Sequence, residues 1–199
     1  MTIKPQLAED AILDQVKFPC IVQPKIDGVR ALNLNGTLTG RSLKPFEGFG
    51  ITEFFSRPQF MGLDGEMTLG DKPNCTERLC SLTTGAMGRF KGVDEMPDLH
   101  WWVFDLVTKN TQYREYQRRY DMLRDRVEAY DHPRVHLVPM FMAATRLQLD
   151  AYIAACFDQG YEGTIVCASH DPGIVEGIAT HVYEVKDLAV RELLHMRRG

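Results

Sequence analysis

A lysine that could act as a nucleophile lies in the segment between Gln23 and Arg30. The segment reads Gln-Pro-Lys-Ile-Asp-Gly-Val-Arg, which places Lys25 two residues before Asp27-Gly28 and five before the arginine. A lysine attacks phosphorus only as the free amine, so an apolar flank or a nearby cation must favour its neutral form. A glycine at position 28 allows a tight turn that a side chain would block. These residue types fit covalent attack on a nucleotide phosphate.

The same segment also fits an ordinary β-hairpin. Asp-Gly is a strong turn signal whatever the function, and Lys25 would then be a solvated strand residue. The segment alone does not choose between the two interpretations. The order of the segments that follow it favours the nucleophile over the hairpin.

Five further elements follow along the chain: Arg41-Ser42-x-Lys44, Leu63-Asp64-Gly65-Glu66, Trp102-Val103-Phe104-Asp105-Leu106, Tyr161-Glu162-Gly163-Thr164-Ile165-Val166 and Tyr183-Glu184-Val185-Lys186. With the Lys25 segment they resemble, in order, the motifs of the covalent nucleotidyltransferases. These enzymes are the ATP-dependent DNA ligases, the RNA ligases and the mRNA capping enzymes. The resemblance extends from Gln23 to Lys186 and is greatest to the short phage-type ATP-dependent DNA ligases.

The resemblance implies a role for each matching residue. Lys25 would be the catalytic residue and would carry AMP. Phe104 would stack on adenine, and Gln23 would accept a hydrogen bond from the adenine amino group. The full nucleotide-binding set would be Gln23, Ile26, Arg30, Arg41, Glu66, Phe104 and Lys186. Glu66 and Glu162 would hold Mg²⁺, which Mn²⁺ could replace, because hard cations prefer carboxylate oxygens.

Each of these residues also has a structural interpretation. Glu66 and Glu162 could be acids at strand ends beside a glycine, and the two arginines could pair with surface acids. Phe104 could belong to the core beside its tryptophan neighbours. Strand alternation predicts that Trp102 and Phe104 share one face, opposite Trp101 and Val103.

Two positions depart from the pattern of the family. Glu184 stands where the first lysine of a K-x-K motif is usual, and Cys167 stands where the fourth motif often continues into lysine. Relatives also continue into an OB-fold domain, whereas thirteen residues follow Lys186 here. We therefore expect one nucleotidyltransferase domain over residues 1–199, with the OB-fold domain absent or supplied by a partner.

The composition sets broad limits. The chain has 199 residues, 44% of them hydrophobic, and a net charge of −4, which argues against a nonspecific nucleic-acid coat. We expect a cytoplasmic monomer, because no signal-peptide core or membrane-spanning run occurs. Five cysteines without a C-x-x-C pair predict neither a disulfide framework nor a zinc site. The arginines between positions 114 and 126 are interpreted as a solvated helix face balanced by acids.

The predicted fold class is α+β, because hairpin signals outnumber βαβ units. The resemblance implies the ATP-grasp-like adenylation domain of DNA ligases, with two antiparallel sheets flanked by helices. The predicted strands are 20–26, 29–34, 37–41, 99–107, 134–138, 162–167 and 181–186, with a strand–turn–strand over 60–68. The predicted helices are 8–17, 51–56, 114–130, 146–158 and 187–199. Helix 114–130 has an apolar stripe of Tyr116, Tyr120, Leu123, Val127 and Tyr130, and helix 146–158 has Leu149, Ile153 and Cys156 inward. Asn35-Gly36 predicts the turn of a hairpin between strands 29–34 and 37–41. The predicted loops are 70–92, with short helical pieces, and the mobile segment from Asp171 to Gly177.

The predicted function is that of an ATP-dependent DNA ligase acting on nicked double-stranded DNA in replication, repair or recombination. One alternative is an RNA ligase with the same lysyl-AMP chemistry, which would require a ribose 2′-hydroxyl at the break. The arginine at position 41 and the short spacing to the Asp-Gly-Glu motif favour DNA. The other alternative is a degenerate nucleotide-binding or DNA-docking module in which Lys25 is never modified.

Overall fold

The computed structural model describes residues 9–10, 12–47, 49–74, 78–89, 97–168 and 181–185, with the backbone alone at 9–10, 49, 89, 168 and 181–185. These residues form two compact units. The first is Asp27–Val138, and the second comprises the described parts of 9–26, 139–168 and 181–185. The segment predicted as a mobile loop, Lys186 and the predicted C-terminal helix lie outside the described residues.

The first unit contains a five-stranded sheet in the order β4-β3-β5-β6-β7. Its strands are β3 (Val29–Leu34), β4 (Thr37–Thr39), β5 (Leu63–Leu69), β6 (Leu99–Leu106) and β7 (Val135–Leu137). Its helices are α1 (Phe49–Phe55), α2 (Leu79–Arg89) and α3 (Tyr116–Tyr130), with a 3-10 helix at Pro58–Phe60. The Asn-Gly pair predicted to join β3 and β4 does so, with positive φ of 52° at Asn35 and 85° at Gly36.

The second unit contains another five-stranded sheet in the order β1-β10-β9-β2-β8. Its strands are β1 (Glu9–Asp10), β2 (Cys20–Lys25), β8 (Phe141–Ala143), β9 (Gly163–Ala168) and β10 (His181–Val185). It also contains α4 (Arg146–Asp158) and a 3-10 helix at Leu13–Gln15. The predicted inward residues of α4, Leu149, Ile153 and Cys156, are all buried.

Each unit has its own core. In the first, Trp101 packs edge to face on Phe55 with ring centroids 5.6 Å apart, and Leu32, Leu63 and Met67 are also fully buried. In the second, the cluster is formed by Val16, Cys20, Val22, Ala143, Leu149, Ile153 and Val166. Strand alternation on β6 is confirmed, because Trp101 and Val103 are buried while Trp102 and Phe104 are only half-buried.

Several predicted elements were wrong. Residues 60–68 do not form a strand–turn–strand, because Asp64-Gly65 lies inside the single strand β5 at a β-bulge. The helix predicted over 8–17 is a short strand and a 3-10 helix, and the 11-residue α2 is longer than the short helical pieces predicted within 70–92. The sheets are not wholly antiparallel, since β6–β7 and β1–β10 are parallel pairs. Among the described residues, no helix is long and apolar enough to cross a membrane.

Candidate active site

Lys25 and Glu162 form an ion pair in the second unit. Lys25 is the last residue of β2, and its register partner on β9 is Gly163, directly after the glutamate. The antiparallel pairing therefore brings together two side chains 137 positions apart, and Nζ donates to Glu162 Oε2. The lysine side chain is 20% exposed and the glutamate side chain 43%, so the pair is open to an incoming ligand.

Two other residues of interest, Gln23 and Cys167, lie in the same sheet, and Ile26 directly follows β2. Gln23 is 3% exposed on β2 opposite Ile165, two residues before the lysine. Ile26 and Cys167 are buried, at 7% and 4% exposure. Cys167 lies opposite Ile21 on β9, in the interior of the sheet, where a lysine would have to bury its ammonium. This burial gives a physical reason for an apolar residue at position 167.

A row of register partners that includes two predicted site residues crosses the sheet of the first unit. Arg30 on β3 is the register partner of Glu66 on β5, which in turn is the partner of Trp102 on β6. Directly opposed residues point to the same side of a sheet. The structure therefore brings the predicted residues Arg30 and Glu66 together on the face that also carries Phe104.

Arg30 is held by two neighbours on this face. Its Nε and Nη2 donate to the two carboxylate oxygens of Asp64 at 2.6 and 2.8 Å, and its guanidinium carbon lies 4.6 Å from the centroid of the Phe104 ring. Burial would lower the pKa of the Arg30 guanidinium, but the charge and hydrogen bonds of Asp64 outweigh it and raise that pKa. Arg30 is therefore a fixed cation, and its Nη1 is not used by Asp64.

Two glycines allow close approach of the backbone around this row. A Cβ at Gly65 would lie 2.2 Å from the Trp102 carbonyl oxygen, and a Cβ at Gly28 would lie 2.5 Å from the Met67 carbonyl oxygen. Both positions therefore exclude any larger residue unless the backbone shifts. Gly28 is needed for its contact with β5, and Gly65 for the packing of β5 on β6.

Asp105 and Arg119 form a second paired set beside Phe104. Arg119 on α3 donates from Nε and Nη2 to the carboxylate of Asp105 at 2.8 and 2.9 Å. The arginine is only 4% exposed, so its interpretation as part of a solvated helix face was wrong. Helical spacing could have revealed it, because Arg119 lies three residues after Tyr116 on the apolar stripe of α3.

The remaining predicted residues are more dispersed. Arg41 and Lys44 are exposed in the turn after β4, which is closed by a hydrogen bond from the Gly40 amide to the Lys44 carbonyl at 3.1 Å. Lys186 lies outside the described residues. Within the described part of the chain, no group of three or more His, Cys, Asp or Glu side chains is placed to hold a metal ion.

Comparison with solved structures shows what this fold is. The chain is similar to a Chlorella virus DNA ligase-adenylate, with a TM-score of 0.73 and 20% identity over 92% of this chain and 67% of that one. It is similar to Lig E DNA ligases, with a TM-score of 0.70 and 17% identity over 94% of this chain and 70% of that one. It is also similar to the ATP-dependent DNA ligase of bacteriophage T7, with a TM-score of 0.54 and 14% identity over 87% and 63% of the two chains.

The chain therefore has the fold of ATP-dependent DNA ligases, a mixed α+β arrangement of two sheets with helices. The family resemblance read from the motifs is confirmed in the fold. A second structure of the Chlorella virus ligase-adenylate is covered over 61% of its length, less than two thirds. No protein-family model and no curated protein sequence matches the chain.

Proposed function

We propose that this chain is the nucleotidyltransferase domain of an ATP-dependent polynucleotide ligase that acts on nicked DNA. The observation that carries the proposal is the ion pair between Lys25 and Glu162, made by adjoining ends of β2 and β9. The pair occurs in a chain with the fold of ATP-dependent DNA ligases. The lysine side chain is 20% exposed, and the carboxylate in contact with it can accept the proton that the ammonium must lose before attack.

The first chemical step joins AMP to the lysine. The Nζ lone pair of Lys25 forms a bond to the α-phosphorus of ATP, and the bond from that phosphorus to the bridging oxygen breaks. The electron pair leaves with pyrophosphate, and the nitrogen is left as a phosphoramidate. Glu162 Oε2 accepts the hydrogen bond of Nζ, so the proton that Nζ must lose has an acceptor in contact.

The Glu162 carboxylate also suits a magnesium ion. It is 43% exposed, and Mg²⁺ commonly binds one or two carboxylates while keeping several waters. The ion, when bound, would neutralise negative charge that develops on the phosphates. Glu66 lies in a different setting, since its charge acts on the guanidinium of Arg30. We assign it to a ribose hydroxyl rather than to the metal, since the guanidinium disfavours a second cation there.

The face around Arg30 would hold the nucleoside. Arg30 covers one face of the Phe104 ring, which leaves the other face for the flat surface of adenine. Arg30 Nη1 would reach the ribose or a phosphate. Gln23 would accept from the adenine amino group, and the exposed Arg41 would contact the 5′-phosphate of the nick, with which arginine can form two parallel bonds.

The later steps would act on nucleic acid. AMP would pass from Lys25 to the 5′-phosphate at the break, and the 3′-hydroxyl would then attack that phosphate and release AMP. One of the similar structures is described as DNA binding with a minimal scaffold. We propose nicked double-stranded DNA as the partner, with an OB-fold domain supplied elsewhere for efficient sealing.

Labelling with ATP tests the proposal. The protein would be incubated with Mg²⁺ and ATP labelled at the α-phosphate, denatured, and examined for bound label. Label is expected on the wild type and on a Lys17→Ala control, in which an exposed lysine upstream of β2 is removed. It is expected to be absent from Lys25→Ala. Label lost by acid but stable to base would identify the phosphoramidate.

The substrates distinguish the alternatives. Transfer of AMP to nicked DNA would support a DNA ligase, and transfer only when the break carries a ribose 2′-hydroxyl would support an RNA ligase. Measurable ATP binding without label on the wild type would contradict covalent chemistry in this chain. That result would favour a nucleotide-binding or DNA-docking module.

A further inference from the structure

Phe104 occupies an irregular position in its sheet. On β5, Asp64 pairs with Asp105 and Gly65 pairs with Val103, so Phe104 is the extra residue of a β-bulge. A bulged residue lies outside the ladder and its side chain is re-aimed. The direction of the Phe104 ring therefore depends on contacts other than the strand pairing.

Two residues of α3 supply such contacts. The hydroxyl of Tyr116 donates to the carbonyl oxygen of Phe104 at 2.7 Å, and Arg119 holds the carboxylate of Asp105 with two hydrogen bonds. Tyr116 and Arg119 are three positions apart and lie on one face of the helix. The first turn of α3 is therefore hydrogen-bonded to two consecutive residues of the bulge, Phe104 and Asp105.

The position of Arg119 is fixed because each of its three side-chain nitrogens donates a hydrogen bond. Its third nitrogen, Nη1, donates to the carbonyl oxygen of Arg114 at 2.6 Å, and its guanidinium lies 5.4 Å from the Tyr116 ring centroid. Both side chains are about 5% exposed. A bidentate arginine–carboxylate pair in a buried setting fixes direction as well as distance.

The Asp105–Arg119 pair also acts electrostatically on the charged residues beside Phe104. Asp105 acts on the guanidinium of Arg30, and both Asp105 and Arg119 act on Asp64. The cations Arg30 and Arg119 thus share one network with the anions Asp64, Asp105 and Glu66. Without Arg119, the charge of Asp105 would be uncompensated and would compete with Asp64 for Arg30, moving the guanidinium from its place over Phe104.

We propose that Tyr116 and Arg119 are positioning residues that hold the Phe104–Asp105 bulge, so that the Phe104 ring and the Arg30 guanidinium keep the arrangement that binds the nucleoside of ATP. The proposal rests on the nucleotide-binding function proposed above. Because base and ribose are remote from the reacting phosphorus, the residues act on nucleotide binding rather than on the chemical step.

The test measures the rate of label transfer to Lys25 as a function of ATP concentration. Tyr116→Phe and Arg119→Met are each expected to raise the KM for ATP on the order of tenfold, as loss of a supporting contact often does, with a much smaller change in maximal rate. Arg119→Lys is not expected to restore the KM, because lysine cannot form the bidentate pair. Arg118→Met, on the exposed side of the same helix, is the matched control and is expected to behave like the wild type.

A double variant distinguishes positioning from simple loss of packing. Asp105→Asn removes the uncompensated charge, so the Asp105→Asn/Arg119→Met protein is expected to have a lower KM than Arg119→Met alone. The second readout is the NMR resonance of the Arg30 side-chain Nε–H, which is near the Phe104 ring and is expected to shift in Arg119→Met. If Arg119→Met does not fold, the KM of Tyr116→Phe tests the positioning role, since that substitution removes only one hydroxyl.

The outcomes separate this proposal from the one on which it rests. A wild type that neither binds ATP nor takes label overturns the proposed function, and the nucleotide role of Tyr116 and Arg119 with it. A labelled wild type with unchanged KM in folded Tyr116→Phe and Arg119→Met overturns the positioning role alone. The positioning role is also overturned if the Arg30 resonance does not shift in Arg119→Met, or if Arg118→Met raises the KM for ATP as much as Arg119→Met does.

Discussion

Single residues determine how closely the strands of the first unit can approach. Gly65 lies where the backbone of β6 leaves no room for a Cβ, and Gly28 lies against the Met67 carbonyl. Both glycines belong to motifs that carry charged residues, Glu66 and Arg30. Compact backbone at these positions lets those two side chains become register partners.

Gly65→Ala tests whether β5 and β6 need the close approach that the glycine allows. The added Cβ would meet the Trp102 carbonyl oxygen at 2.2 Å and the Val103 Cα at 2.7 Å, so the strands must separate. We expect the free energy of unfolding to fall by about 3 kcal/mol, the cost of overpacking against backbone. Urea denaturation of the wild type and of Gly65→Ala measures this difference in the free energy of unfolding.

Gly88→Ala is the matched control for that substitution. A Cβ at this position of α2 meets nothing within 4 Å. Alanine is the better helix former, so we expect a gain of about 0.5 kcal/mol in the free energy of unfolding. Equal destabilisation by both substitutions would contradict the close approach at Gly65.

Secondary-structure elements place the paired side chains. The β2–β9 register joins Lys25 to Glu162, and the first turn of α3 meets the bulge of β6. Helix α4 packs on the second sheet through Leu149 and Ile153, which are buried in the core cluster with Val22 of β2. The stability of α4 therefore supports the strand that ends in the lysine.

The N-terminus of α4 offers a test at the element scale. Thr145 is its N-cap, and the threonine hydroxyl oxygen accepts from the Gln148 amide at 3.3 Å. We expect Thr145→Ala to lower the free energy of unfolding by about 1 kcal/mol and Thr145→Ser to cost much less, since serine keeps the oxygen. Equal losses in the two variants, measured by thermal unfolding, would show that the cap contributes nothing.

At the scale of the whole molecule, partly buried histidines link stability to pH. Burial and the neighbouring His100 lower the pKa of His136, and burial with Arg134 and Arg57 lowers that of His132. His136 also lies 2.7 Å from the His100 ring nitrogen and stacks on Trp102. The folded protein therefore binds fewer protons than the unfolded chain just below the ordinary histidine pKa.

The sign of the effect follows from proton linkage. When the unfolded state binds more protons, stability falls as pH decreases. We expect the free energy of unfolding to fall from about pH 6.5 downward, with a slope of at most about 1.4 kcal/mol per pH unit for each histidine. His136→Phe keeps the stacked ring and is expected to reduce that slope, and an unchanged slope would contradict the assignment.

Sequence patterns alone predicted the order of the motifs, the fold class, the inward residues of α4, the alternation along β6 and the Asn-Gly hairpin. These features depend on neighbours along the chain, whose periodicity and turn chemistry are visible in the sequence. The prediction failed at Asp64-Gly65, where the turn signal was overridden by strand pairing, because a glycine inside a sheet serves close approach as well as turning.

The pairing of charged side chains could not be predicted from the sequence and depends on the folded structure. Lys25 and Glu162 are 137 positions apart, Arg30 and Asp64 are 34 apart, and Asp105 and Arg119 are 14 apart. Sequence composition showed Arg119 as one of several arginines in an acid-balanced helix, and only its spacing from Tyr116 distinguished it from the others. Burial of that arginine depends on the β6 bulge that faces the helix, since desolvating a guanidinium is favourable only where a carboxylate is already in place.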